Sequence, residues 1–275
     1  MNLGAKVAAL MLAAAPAGAA ECRLALALAL DVSSSVDAAE DRLQRSGLAA
    51  ALIAPEVRAA FLSSPLPVAL AVYEWSGRYN QDVLLDWRLI GDEGALVLAA
   101  ETIVRSRRGT DEFPTAVGYA LGFGAGFLAR APDCLFKTLD VSGDGRNNDG
   151  FPPGTAYREF TFDGATVNGL VIATSGLAAD AGLIAFYRDE VLHGPGAFLE
   201  IARGFADFER AMRRKLEREL RAKAVGDAPG APAGAYRVRS ASPAGADASV
   251  VENATSSRRM NERVRLNATR PGPPG

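Results

Sequence analysis

Two short runs hold the residues whose types and spacing suit metal chemistry. Asp31-Val32-Ser33-Ser34-Ser35 follows directly on the apolar run Arg23–Leu30. Asp140-Val141-Ser142-Gly143-Asp144-Gly145 sits at the end of a second such run, which starts at Leu135. Asp-x-Ser-x-Ser places one carboxylate and two hydroxyls on a single tight turn. Oxygen donors of this kind suit a small hard dication, which takes about six oxygens at ~2.0–2.1 Å for Mg²⁺ and a looser shell for Ca²⁺. A plainer reading of the same turn is helix capping by Ser35 or Asp37. Asp140-x-Ser142-x-Asp144-Gly145 also imitates the opening of an EF-hand loop. Its twelfth position is Phe151, where a bidentate Glu belongs, and Asp140 lies within an apolar run, so that reading fails.

The elements that must position these runs are legible from periodicity. Strand-like segments are Arg23–Leu30, Val68–Trp75, Asp82–Leu89, Leu135–Val141, Val167–Ala173 and Ala197–Ile201, with Asp82–Leu89 an edge strand. Helical segments are Asp37–Leu52, Glu93–Arg105, Ala116–Leu128, Asp180–Val191 and about Ala206 to Ala222. In the first helix Leu43, Leu48 and Leu52 share one side, and Glu40, Asp41 and Arg42 another. Six strands separated by helices predict an α/β fold: a doubly wound, mostly parallel, Rossmann-like sheet with helices on both faces. Ligands are then expected beyond the strands' carboxyl ends. The first and fourth strands are neighbours in such a sheet, which brings Asp31 opposite Asp144.

Composition narrows the classes. The chain has 275 residues, 49% hydrophobic and 23% charged, with a formal net charge of −2. That balance gives no argument for nucleic acid as a partner. A single histidine argues against a multi-histidine metal centre, and two cysteines can form one disulfide but no zinc cluster. Met1–Ala20 reads as a signal peptide, with Lys6, an apolar run from Val7 to Ala15, and Ala17-Gly18-Ala19 before the cleavage point. The run is too short to span a bilayer, so no transmembrane segment remains after cleavage. The mature protein is expected in the periplasm or outside the cell. Residues 21–224 form the folded domain. Residues 225–275, rich in Pro, Gly, Ala and Ser, read as a disordered tail. Two N-glycosylation sequons in it, at Asn253 and Asn267, are short enough to arise by chance.

With these motifs in this order, the chain resembles the von Willebrand factor type A domain and its metal-ion-dependent adhesion site, over roughly Arg23 to Lys223. Asp31, Ser33 and Ser35 match the first motif and Asp144 the last. Thr115-Ala116-Val117-Gly118-Tyr119-Ala120-Leu121 matches the family's Thr-x-x-Gly-x-Ala-Leu, although Phe113-Pro114 replaces the usual small residues before it. Thr110 is a weaker match, because the helix start does not follow it at that spacing. Val141–Gly145, Val167–Leu170 and Gly194–Phe198 resemble a bacterial exported subfamily of uncharacterised function.

The resemblance implies one divalent cation, Mg²⁺ first with Ca²⁺ or Mn²⁺ as alternatives. Ser33, Ser35 and Thr115 hold it, and Asp31 and Asp144 act directly or through water. Neutral ligands leave the ion electron-poor with one position open, which an Asp or Glu of a protein partner fills. The expected function is partner capture by an exported binding protein, not catalysis.

If Asp31 and Asp144 end adjacent parallel strands, Cys22 and Cys134 fall at the opposite ends, nine and ten positions earlier. Strands ~4.7–4.9 Å apart allow a disulfide there, and two unrelated buried thiols are the alternative. Enzyme readings are a metal-dependent phosphoester hydrolase on the same aspartates, or a hydrolase using His193 as base. No Gly-x-Ser-x-Gly elbow is present, and His193 precedes the sixth strand, at the wrong end of the sheet. Trp75 and Trp87 read as core or rim packing, Glu74 as a neighbour of the site or a solvated strand end. Arg213-Arg214-Lys215 reads as a solvated helix face.

Overall fold

The run Cys22–Asp31 alternates leucine with alanine, and this alternation sorts the two faces of the sheet. It forms the central strand β1 of the computed structural model, which describes residues 20–222. The expected signal peptide, tail and sequons lie outside the described residues. The other strands are β2 (Val68–Trp75), β3 (Gln81–Ile90), β4 (Cys134–Gly143), β5 (Ala165–Ile172) and β6 (Leu199–Ala202). Their spatial order is β3-β2-β1-β4-β5-β6. Every neighbouring pair is parallel except β2–β3, so the expected edge strand is the one antiparallel element.

Leu24, Leu26, Leu28 and Leu30 project to one face. There they meet α1 (Ala38–Ile53), α2 (Pro55–Phe61), α3 (Glu93–Arg105) and α7 (Phe208–Ala222) through Leu48, Leu52, Phe61, Met212 and Leu216. Each fully buried leucine of this layer contributes about 1.5–3 kcal/mol. Ala27 and Ala29 face the other way, toward α4 (Val117–Ala129), α5 (Pro153–Glu159) and α6 (Ala181–Phe186). Small side chains here let the glycine-rich α4 approach the sheet closely. A Cβ on Gly124 would lie 2.5 Å from Leu139 Cδ2 and 2.8 Å from Tyr73 Oη.

Several expectations shift. Helices α2 and α5 are short, begin at prolines, and were not expected from periodicity. The expected helix Asp180–Val191 is α6 followed by a π-helical turn, Tyr187–Val191. Leu43 is exposed, because the buried stripe of α1 runs through Asp41, Gln44, Arg45, Leu48 and Leu52. Lys215 is not on a solvated face. Its position beside Met212, Leu216 and Glu219 turns it to the sheet, where its Nζ lies 2.5 Å from Asp140 and 2.9 Å from Glu219. Burial opposes the charge on Lys215, and the two carboxylates offset that opposition, so its pKa is raised. Arg213 and Arg214 do reach the surface, paired with Glu56 and Glu200. Among the described residues no helix is long and apolar enough to cross a membrane.

Cys22 and Cys134 are register partners at the start of β1 and β4, 4.4 Å apart at Cα, and form a disulfide. The bridge spans 112 positions of sequence. The double variant C22A/C134A is expected to lose about 2–5 kcal/mol of stability in urea unfolding. An unchanged midpoint would contradict a role in holding the two central strands.

Candidate metal centre

β1 ends on Asp31 and β4 ends on Gly143, so parallel pairing delivers Asp31 and Asp144 to one crevice at the sheet's carboxyl edge. Three loops meet there. Thr115 Oγ1 donates to Ser33 Oγ at 3.2 Å, Ser33 Oγ and Ser35 Oγ are 3.2 Å apart, and Ser35 Oγ donates to Asp144 Oδ1 at 2.7 Å. All five residues expected at the site are thus brought together, as a line of hydroxyls running between Thr115 and Asp144, with Asp31 beneath Ser33. Thr110 is not among them. Its carbonyl accepts from Arg108, and its hydroxyl lies 3.5 Å from the Glu112 amide of its own loop.

Asp31 sets the electrostatics. The Ser33 N–H donates to Asp31 Oδ1 at 2.8 Å, but Oδ2 is buried with no hydrogen-bond partner. Burial, and then the charge of Asp144, push the Asp31 carboxyl up to about 7. Asp144 is also raised by burial, against the lowering effect of its Ser35 bond. Asp31, Ser33 and Thr115 are buried, whereas Ser35 is exposed and Asp144 half-buried, so the site opens to the surface on that side. Among the described residues no three His, Cys, Asp or Glu side chains form a metal cluster. The donor set here is instead two carboxylates and three hydroxyls. It fits a small oxygen-seeking dication, and the orphaned Oδ2 is the atom such a charge would satisfy.

The loops are fixed from outside. Arg108 donates to four carbonyls: Val32 and Ser33 at 2.6 and 2.8 Å, Val36 at 2.6 Å and Thr110 at 2.6 Å. Gln44 Nε2 holds the Asp31 carbonyl at 2.9 Å. Asn148 Oδ1 accepts from the Thr115 N–H at 2.9 Å, and its own N–H returns to Thr115 O. Asn147 Oδ1 accepts from Gly118 N–H at 3.1 Å, capping α4, which has no side-chain cap of its own. Asp37, not Ser35, caps α1, in a reciprocal box with Glu40. Ser35 is therefore free to face Asp144.

Asp144 is flanked by glycines that the packing requires. A Cβ on Gly145 would lie 2.9 Å from Thr115 Oγ1, and one on Gly143 would lie 2.7 Å from Asp31 Oδ2. The same Cβ would lie 2.5 Å from Tyr187 Oη, a buried hydroxyl without a partner. Tyr187 thus shares a niche with the orphaned carboxylate oxygen. Neither it nor Arg108 was found from sequence. Tyr187 carries no motif, though it starts the π-helical turn, a feature that often marks functional positions.

The remaining expectations resolve clearly. Glu74 is buried, bonded to Arg45 and to the Gly109 N–H at 2.9 Å, so the solvated alternative fails. Asp140 is committed to Lys215, which removes it from any EF-hand loop. His193 pairs with Val167 near the start of β5 and stacks on Tyr157 at 4.4 Å, at the far end of the sheet from Asp31. Trp75 is fully buried, and Trp87 donates to Phe127 O.

Residues 21–224 match the family described as "Protein of unknown function (DUF1194)". The chain belongs to this family. No curated protein matches the sequence.

Solved structures share its fold. A von Willebrand factor type A protein from Catenulispora acidiphila is 18% identical, with TM-score 0.50, over 72% of this chain and 43% of that one. Proximal thread matrix protein 1 from the mussel byssus, with a zinc-occupied MIDAS motif, is 15% identical with TM-score 0.50, over 74% and 48%. The pilus adhesin SpaC from Lactobacillus rhamnosus GG, in its open conformation, is 13% identical with TM-score 0.51, over 74% and 30%. The chain spans less than half the length of these structures. The DUF1194 chain therefore has a von Willebrand A type, Rossmann-like fold.

Replacing Arg108 with Met removes four bonds to the carbonyls around Ser33 while keeping the aliphatic stem. The Ser34 and Val36 amides, bonded to Phe113 O and Ser33 O, are expected to exchange with solvent at least about tenfold faster. Unchanged exchange would show that the loop holds its shape without Arg108.

Proposed function

We propose that this protein binds one divalent cation, Mg²⁺ first among the candidates, and through it captures an acidic side chain of a protein partner. The observation that carries the reading is the meeting of Ser33, Ser35 and Thr115 hydroxyls beside two carboxylates, one with an orphaned oxygen. In this reading the three hydroxyls hold the ion, and Asp31 and Asp144 act directly or through water. The cation would supply Lewis acidity toward an incoming carboxylate. Exposed Ser35 and half-buried Asp144 leave the approach open, while buried Asp31 and Thr115 anchor the floor. The zinc-occupied motif named for the mussel protein and the adhesin role named for SpaC support the same reading.

We propose binding rather than catalysis, and export to the periplasm or beyond, in keeping with the Cys22–Cys134 bridge, which persists best in an oxidising compartment. The function is then recognition: the partner's carboxylate completes the coordination, and the surrounding loops choose the partner.

Calorimetric titration tests the site. S33A and T115A are each expected to weaken Mg²⁺ binding at least about tenfold with the far-UV spectrum unchanged, since each deletes one ligand oxygen. Wild-type affinity in both variants would remove the basis of the reading. Capture from periplasmic extract should be lost with chelator and restored by Mg²⁺, and retention in chelator would contradict the metal bridge. Tyr187→Phe keeps the ring and deletes only the hydroxyl that shares the niche of Asp31 Oδ2. It should weaken Mg²⁺ binding about tenfold without lowering the stability of the metal-free protein, because no hydrogen bond is lost. A fall in stability with unchanged affinity would make Tyr187 a packing residue only.

A further inference from the structure

Beside the Asp-x-Ser-x-Ser turn lies a cavity of about 740 Å³ between the start of α1 and the loop Ser106–Asp111. Its walls carry Arg42, Arg107 and Arg108, the hydroxyl residues Ser46 and Ser106, and the apolar Val104. The fourth arginine, Arg45, is buried between two carboxylates, bonded to Asp41 at 2.9 Å and to Glu74, and also to Ser106 Oγ at 2.6 Å. That network forms a closed floor.

The other three guanidinium groups differ. Arg108 is bonded only to carbonyl oxygens, which carry no net charge. Arg42 and Arg107 are exposed. Among the described residues none of these three forms an ion pair, although the salt bridges of this face include Arg45 and Arg105. Among the cavity's lining residues four arginines face two acids, Asp41, which Arg45 holds, and Asp111, exposed at the rim, so the lining keeps a positive surplus even though Asp37 nearby also feels Arg42 and Arg108. Arg108 joins this cavity to the metal site, because the guanidinium that lines it also holds the carbonyls of Val32 and Ser33.

We propose that this cavity takes a second carboxylate of the same acidic partner segment, so that the protein recognises paired acidic side chains rather than a single one. The inference rests on the metal-bridged reading for its first carboxylate. The cavity's own contribution is electrostatic and needs no metal: planar guanidinium forks match carboxylate geometry, and the exposed Arg42 and Arg107 offer them, whereas the Ser46 and Ser106 hydroxyls already donate to Arg42 O and Ile103 O. Selectivity follows from spacing. A partner with one acidic residue engages the metal site alone, whereas one with a run of them engages both.

The probes are tetraglutamate and N-acetylglutamate amide, which differ in carboxylate number, titrated into the full chain. With Mg²⁺ present, wild type should bind tetraglutamate more tightly than the single-carboxylate probe. R42Q/R107Q should cut that preference about tenfold while Mg²⁺ affinity stays at the wild-type value. With chelator, weak tetraglutamate binding should remain in wild type and in S33A and vanish in R42Q/R107Q. An undiminished preference in R42Q/R107Q, or equal binding of the two probes by wild type, would overturn the proposal. If Mg²⁺ changes nothing in wild type, the metal-bridged reading fails by itself, and the chelator comparison alone decides the fate of the arginine cavity.

Discussion

Asp31 ends the central strand with one carboxylate oxygen satisfied by the Ser33 amide and the other buried without a partner. A buried, unpaired carboxylate is costly, and here burial and Asp144 raise its pKa to about 7. Among the described residues neither Asp31 nor Asp144 forms an ion pair with an arginine or lysine, the remedy the fold uses elsewhere. Lys215 is buried with Asp140 and Glu219, and Arg45 with Asp41 and Glu74. At the carboxyl edge of β1 and β4 hydroxyls are gathered around the two carboxylates, while Arg108 spends its guanidinium on the neighbouring backbone carbonyls. A removable cation is the charge that this arrangement suits.

The scaffold serves that constraint at each level. Parallel pairing of β1 with β4 puts the two aspartates at one edge, and the Cys22–Cys134 bridge ties the same two strands at their other ends. Alanines on one face of β1 let α4 come close, which carries Thr115 at its start into reach of Ser33. Arg108, Asn147 and Asn148 then shape the loops by bonding backbone groups, leaving the Ser33, Ser35 and Thr115 hydroxyls to bond one another and the carboxylates of Asp31 and Asp144. Glycines on both sides of Asp144 allow an approach that any Cβ would block. Arg108 also borders the neighbouring cavity, so the residue that stiffens the turn contributes to the charge of the adjacent surface.

Much of this was legible in the sequence because it rests on short-range pattern. The order of apolar runs from Arg23–Leu30 onward pointed to the sheet, to Asp82–Leu89 as an edge strand and to the meeting of Asp31 with Asp144, but not to the antiparallel direction of that edge. Resemblance to the von Willebrand A pattern Thr-x-x-Gly-x-Ala-Leu separated Thr115 from Thr110, whose hydroxyl stays in its own loop. What escaped depends on tertiary geometry. Lys215 sits in a run of basic residues that looks solvated, and only the rotation of α7 against β4 reveals its pairing with Asp140. Leu43 resembles Leu48 in type but falls off the stripe that faces the sheet. Arg108 holds backbone carbonyls and Tyr187 borders a niche over Gly143, and neither arrangement leaves a motif. Short helices such as α2 and α5 hold too few residues for a period to show.

The account stands or falls on where a cation settles. Crystals of the folded domain grown with Mn²⁺ and measured at its absorption edge locate the ion directly by anomalous scattering. A single strong peak within coordination distance of Ser33 Oγ, Ser35 Oγ and Thr115 Oγ1, on the open side of Asp31, is the predicted result. A peak at another place, or none there with those three hydroxyls turned apart, would contradict it.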